Sequence, residues 1–120
     1  MKILICDKEP ILLKLLSKEL SKHGYEIITA ENGYIGMEKV RKHKPEIVIT
    51  DLLLPLVNGL EYISLIIAEL PKTSVLVYSD ISAENIMEQA YRLGAKDFIS
   101  KPFDPERIIL RIKHLETNSN

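Results

Sequence analysis

In Ile47-Val48-Ile49-Thr50-Asp51-Leu52-Leu53-Leu54-Pro55, an unbroken apolar and β-branched run leads straight into a carboxylate, and a proline follows soon after. A short run without polar alternation suits a strand buried on both faces. Asp51 then marks the point where the strand leaves the interior, and Leu52 to Asn58, holding Pro55, is the loop beyond it.

Working outward, the same strand–loop–helix unit recurs on both sides. Downstream, Gly59 starts a helix with Leu60, Ile63, Ile66, Ile67 and Leu70 on its inner side, and Pro71 closes it. Val75 to Tyr78 is the next strand, ending at Ser79, and Ser82 caps a helix carrying Ile86, Met87, Ala90 and Leu93 up to Gly94. Asp97 to Ile99 is a further strand, ending near Lys101. Asp104-Pro105, a cap followed by a first-turn proline, opens a helix whose Ile108, Ile109, Ile112 and Leu115 face inward. Upstream, Ile3 to Cys6 and Tyr25 to Thr29 read as strands. Pro10 opens a helix with Leu12, Leu16 and Leu20 that Gly24 stops at C′, and Asn32 caps another running to about Lys42 with Ile35, Met37 and Val40.

Strands alternating with helices pair in parallel through right-handed crossovers. The pattern predicts an α/β fold: a flavodoxin-like, doubly wound five-stranded parallel sheet, order 2-1-3-4-5, with five helices. The 120 residues make one domain, taken as 1–116, with 117–120 as a polar tail or the start of a linker. A formal net charge of -1 gives no basic field and argues against direct nucleic-acid binding. The apolar runs are too short for a membrane span. The lone Cys6 has no partner for an intrachain disulfide and suits a reducing compartment, so a cytoplasmic location is expected.

In such a sheet, ligands sit beyond the carboxyl ends of the strands. The first strand ends at Asp7-Lys8-Glu9, the third at Asp51, the fourth at Ser79-Asp80 and the fifth at Ser100-Lys101-Pro102. Two carboxylates, a hydroxyl and an ammonium therefore share one edge. Polar residues are common where strands give way to loops, but four converging groups suggest chemistry: phosphoryl transfer onto a carboxylate. Asp51, placed centrally, is the nucleophile, and Lys101 and Ser79 neutralise the phosphoryl oxygens.

The ordered set Asp7, Asp51-Leu52-Leu53-Leu54-Pro55, Gly59, Ser79 and Gly94-Ala95-Lys96-Asp97-Phe98-Ile99-Ser100-Lys101-Pro102-Phe103 resembles the response-regulator receiver family of two-component signalling. The resemblance runs from Lys2 to about Leu115. It implies that Asp51 is the phosphoacceptor, Ser79 the switch hydroxyl, Phe98 the switch aromatic and Lys101 the lysine of a Lys-Pro motif whose peptide bond is commonly cis. It further implies a divalent ion, Mg2+, held by Asp7, Asp51 and the Leu53 backbone carbonyl. A histidine kinase or phosphotransfer protein would be the donor. The helix 4, strand 5, helix 5 face would bind effectors or a second copy. The domain would be a signalling module and not an enzyme, beyond hydrolysis of its own acyl phosphate.

The sequence departs from the family at Lys8, which stands where a second acidic metal ligand is usual. Either its stem turns to water, or its ammonium takes part of the metal's place. Asp80 replaces a usually small residue, and Phe98 lacks the hydroxyl of the commoner Tyr. His23, His43 and His114 read as surface groups near helix ends, and Cys6 as a small core residue. Lys8 also supports a second function, a metal-impaired pseudo-receiver serving as a protein-interaction module. A small aspartyl-phosphate phosphatase of the haloacid dehalogenase type is more remote, because Asp7-Lys8-Glu9 is not Asp-x-Asp. A flavin carrier would need a phosphate-binding loop after strand one, and none is present.

Overall fold

The computed structural model describes residues 1–80, 83–102 and 104–117. The chain alternates β1 (Lys2–Cys6), α1 (Pro10–Ser21), β2 (Glu26–Ala30), α2 (Gly33–His43), β3 (Ile47–Thr50), α3 (Gly59–Glu69), β4 (Ser74–Ser79), α4 (Glu84–Arg92), β5 (Asp97–Ser100) and α5 (Pro105–Thr117). The strands form a five-stranded sheet in the order β2-β1-β3-β4-β5, as the sequence pattern predicts. All four pairings are parallel, with Ile5 opposite Ile49, Ile49 opposite Leu76 and Tyr78 opposite Ile99. No helix among the described residues is long and apolar enough to cross a membrane.

Period-two alternation along buried strands sends neighbours into different layers. One core contains Leu4, Val48, Val77 and Phe98 with Val40, Tyr62, Ile63, Ile66 and Ala90 from α2, α3 and α4. The other contains Ile5, Ile49, Tyr78 and Ile99 with Leu13, Leu16 and Leu20 from α1 and Ile108, Ile109 and Ile112 from α5. The β3 residues are buried throughout, which explains why that strand reads as a continuous apolar run.

Local chemistry sets several boundaries. The Asn32 side chain accepts from the Ile35 N–H at 2.8 Å and caps α2. The Asp104 side chain accepts from Glu106 N–H at 3.0 Å at the start of α5. Gly94, at φ 116, follows the α4 C-cap Leu93 and takes the left-handed position that ends a helix.

Four local expectations need correction. In α1, Leu13 is buried beside Leu16 and Leu20, whereas Leu12 is only partly buried, because the inward stripe advances at 3.6 residues per turn. That helix ends at Ser21 with Lys22 as its C-cap, so Gly24, at φ 87, lies one residue beyond C′. Ile35 is 37% exposed, since α2 turns Gly36, Met37 and Val40 inward instead. Ala83 is the N-cap of α4 and makes no side-chain cap hydrogen bond; Ser82, the expected cap, lies outside the described residues, as do Phe103 and 118–120.

Candidate functional site

The parallel ladder itself places the two carboxylates. Just past β1, the Asp7 N–H donates to the Ala30 carbonyl at 3.0 Å; just past β3, the Asp51 N–H donates to the Cys6 carbonyl at 3.1 Å. Both acids are thereby held side by side at the sheet's carboxyl edge, with exposures of 1% for Asp7 and 3% for Asp51. Past β5, the Lys101 N–H donates to the Ser79 carbonyl at 2.9 Å, and the Lys101–Pro102 peptide is cis. The lysine side chain then runs back over the edge. Its Nζ donates to Asp7 Oδ2 and to Asp51 Oδ2, each at 2.8 Å.

The remaining carboxylate oxygens are also occupied. Asp7 Oδ1 accepts from the Glu9 N–H at 3.0 Å. Asp51 Oδ1 accepts from the Leu52 N–H at 2.6 Å and the Leu53 N–H at 3.2 Å. The fully buried Ser79 hydroxyl donates to the Asp51 carboxylate. Burial pushes the Asp51 carboxyl up, but the hydrogen bonds from Lys101, Ser79 and the Leu53 N–H outweigh it and hold the group below its ordinary value. Desolvation pulls the Lys101 ammonium down, yet Asp51 and Asp7 together hold it above the usual lysine range. Both partners of the buried pair are thus kept charged, the condition under which a buried ion pair persists.

All four side chains picked out by sequence, Asp7, Asp51, Ser79 and Lys101, meet at this edge. Phe98 is 9% exposed and lies in the core shared by α2, α3 and α4, with Val77, Ala90 and Ala95. Asp80 is exposed. Tyr78 is a site residue that the sequence reading passes over: its ring face lies 4.9 Å from Lys101 Nζ. Burial pushes the Tyr78 phenol up to about 12, so the ring carries no charge at neutral pH. Cys6 is buried, and desolvation raises its thiol to about 12, consistent with a core residue and not a nucleophile.

Lys8 is exposed and, among the described residues, makes no hydrogen bond or ion pair. It lines an open depression of about 530 Å³ together with Leu52, Leu53, Pro55, Leu56 and Asn58. Glu9 is exposed too, and it is its backbone N–H, not its carboxylate, that meets Asp7. Among the described residues no three His, Cys, Asp or Glu side chains converge as a metal-binding group. Magnesium asks for near-octahedral oxygen ligands. The set here, two carboxylates and the Leu53 carbonyl with ammonium-bearing Lys8 in place of a further acid, is one anionic ligand short and carries a cation beside it, and does not fit such an ion.

The response regulator receiver domain model matches residues 3–113. The chemotaxis protein CheY of Thermotoga maritima is 35% identical over 109 residues, covering 90% of this chain and 91% of that protein. The alkaline phosphatase synthesis transcriptional regulatory protein PhoP of Bacillus subtilis is 30% identical over 112 residues, 93% of this chain but 47% of that protein. Among solved structures, a CheY-like response regulator receiver domain protein from Methanospirillum hungatei superposes with a TM-score of 0.95, covering 98% of this chain and 94% of that one, at 22% identity. The five-stranded order, the carboxylates at its edge and a family match spanning nearly the whole chain lead to one conclusion: this chain belongs to the response regulator receiver domain family.

Proposed function

We propose that this domain, residues 1–116, is the phosphoacceptor switch of a two-component pathway, taking a phosphoryl group onto Asp51 from a phosphohistidine of a histidine kinase or phosphotransfer protein. The observation that carries the reading is the Lys101 ammonium 2.8 Å from both Asp7 and Asp51 at the sheet edge. Receiver domains are signalling domains, not enzymes in general, and typically use Mg2+. As the residues here do not fit that ion, no step is routed through it.

In the transfer, an Asp51 oxygen forms a bond to phosphorus while the phosphorus–nitrogen bond of the donor breaks, its electron pair staying on the imidazole. Lys101 and the Ser79 hydroxyl are placed to neutralise the oxygens of the loose transition state. The product exchanges a singly charged carboxylate for an acyl phosphate of about two negative charges at pH 7. That added charge draws on Ser79, which lies on β4 beside β5, and Phe98 is the neighbouring core aromatic through which the face of α4, β5 and α5 would respond. Effectors or a second copy of the domain would bind that face, in the cytoplasm.

Intact-mass measurement after treatment with a small phosphodonor, such as acetyl phosphate or phosphoramidate, tests the assignment. The parent should gain one phosphoryl group and Asp51→Asn none. Equal labelling of both would remove Asp51 from the role. A pseudo-receiver that serves only as an interaction module is the second reading, favoured by Lys8 at the altered position; it requires that the parent take up no phosphoryl group under any ionic condition.

A further inference from the structure

We infer that Lys8 supplies the positive charge for which other receivers use a divalent ion, so that Asp51 is phosphorylated in this chain without metal. The inference rests on the phosphoacceptor reading above and deepens it.

The charge balance of the resting site motivates it. Two buried carboxylates face a single buried ammonium, that of Lys101, so the edge carries a net negative charge. A phosphodonor is itself an anion, and like charges at this range repel strongly when partly shielded from water. Another cation is needed as the donor approaches. The side chain beside Asp7 brings one: Lys8 is next in the chain and exposed, and it is unpaired among the described residues.

Geometry supports the same assignment. Lys8 shares its depression with Leu52 and Leu53, the two residues whose N–H groups hold Asp51 Oδ1. The depression thus adjoins the backbone that holds the Asp51 carboxylate, on the side where Lys8 stands. The lysine stem is flexible and its ammonium offers three rotatable donors, so it can turn onto a phosphoryl oxygen without backbone movement. In the resting state each carboxylate oxygen already accepts from Lys101 or a backbone N–H, and Lys8 stands exposed to water, which solvates its ammonium. An incoming divalent ion, by contrast, would compete with those hydrogen bonds for the carboxylates and meet the Lys8 charge.

The step balances without further reactants. With acetyl phosphate as donor, an Asp51 oxygen bonds to phosphorus, the phosphorus–oxygen bond to acetate breaks, and acetate leaves with the electron pair. Lys8 and Lys101 stay protonated throughout and act only as charges and hydrogen-bond donors.

The test is labelling by acetyl phosphate, read by intact mass, in excess EDTA and in millimolar Mg2+, for the parent, Lys8→Ala and Lys8→Asp, with Mn2+ titration of each protein by calorimetry. The parent should label at comparable rates in both conditions and show no Mn2+ binding heat at the site. Lys8→Ala should lose on the order of 100-fold in the EDTA rate, the scale of removing one oxyanion donor. Lys8→Asp should also fail in EDTA, but bind Mn2+ and label when Mg2+ is added. Labelling of the parent only with Mg2+ would overturn the inference and leave the phosphoacceptor reading intact. Equal EDTA rates for parent and Lys8→Ala would remove Lys8 from the role. No labelling of the parent, with labelling of Lys8→Asp in Mg2+, would overturn it in favour of a site that Lys8 silences. Failure of every protein in every condition would bring down the phosphoacceptor reading itself.

Discussion

Lys101 shows how much of the site one side chain organises. Two of its three ammonium protons serve Asp7 and Asp51, and the Tyr78 ring lies under the same nitrogen at 4.9 Å. Tyr78 is 3% exposed, so the contact is shielded from water and a cation–π attraction of about 0.5–2 kcal/mol is expected. A double-mutant cycle of Tyr78→Leu with Lys101→Met, read by urea unfolding, should give a coupling in that range, whereas Tyr78→Phe should retain most of it. A cycle with no coupling would make Tyr78 ordinary core. The four polar site residues were legible in sequence because each ends a strand, and parallel topology brings strand ends together. Tyr78 was not: in Val75 to Tyr78 it reads as one more apolar residue. Only the path of the Lys101 stem, a tertiary feature, reveals which residue it crosses. The environment of Lys8 was hidden for the same reason, since a residue's place in the chain does not give the direction of a long side chain.

At the scale of elements, the junction of β3 and α3 holds Asp51 in place by close backbone contact. The Gly59 N–H donates to the Leu52 carbonyl at 3.1 Å, and a Cβ added at Gly59 would lie 2.4 Å from Leu52 Cα and 2.5 Å from its carbonyl oxygen. Backbone cannot yield as a side-chain tip can. Gly59→Ala should therefore cost about 1–3 kcal/mol, with a lower chemical-denaturation midpoint, and should slow phosphoryl uptake because Leu52 directly follows Asp51. Unchanged uptake at reduced stability would show that the loop relaxes without moving Asp51. A milder conflict lies at Gly36, where an added Cβ would meet the Tyr62 hydroxyl at 2.6 Å and the Cys6 sulfur at 3.1 Å. Tyr62 is fully buried, and its hydroxyl meets only the Cys6 thiol, a weak partner that falls short of an ordinary hydrogen bond among the described residues. Tyr62→Phe should be near neutral alone, within about 1 kcal/mol, and should partly rescue Gly36→Ala in thermal melts. The βα alternation that announced these elements was legible because strand and helix periods differ. The inward place of Tyr62 was not, because a tyrosine beside Ile63 on an apolar helix fits either face by pattern alone.

For the molecule as a whole, the buried charges set the pH range of stability. The Asp51 carboxyl is held below its ordinary value chiefly against burial, by Lys101, Ser79 and the Leu53 N–H, so its contribution is present above the unfolded value, about 3.9, and is lost as pH falls through the folded one. Lys101 is held above its ordinary value, so its contribution is present below about 10.4 and is lost as pH rises through the folded value. Denaturation midpoints should be nearly flat with respect to these groups between the two limits. The parent's advantage or deficit relative to Asp51→Asn should change below about pH 4, by up to about 1.4 kcal/mol per pH unit for one differing proton. A constant difference down to pH 2 would mean that Asp51 titrates alike in folded and unfolded chains.

Strand alternation also divides responsibility for the reactive edge. Tyr78, under Lys101, lies in the core with α1 and α5, whereas Phe98 lies in the core with α2, α3 and α4. On the proposed reading the two aromatics answer to opposite layers: Tyr78 meets the Lys101 charge from the side of α1 and α5, Phe98 meets α4 from the other, and the face of α4, β5 and α5 draws on both. On that reading, substitutions under α1 would bear first on how readily Asp51 takes up a phosphoryl group, and substitutions beneath α4 first on which partner reads it. Inheritance could then change the two layers in separate steps, with α5 as the one helix of the proposed readout face that shares a layer with Tyr78.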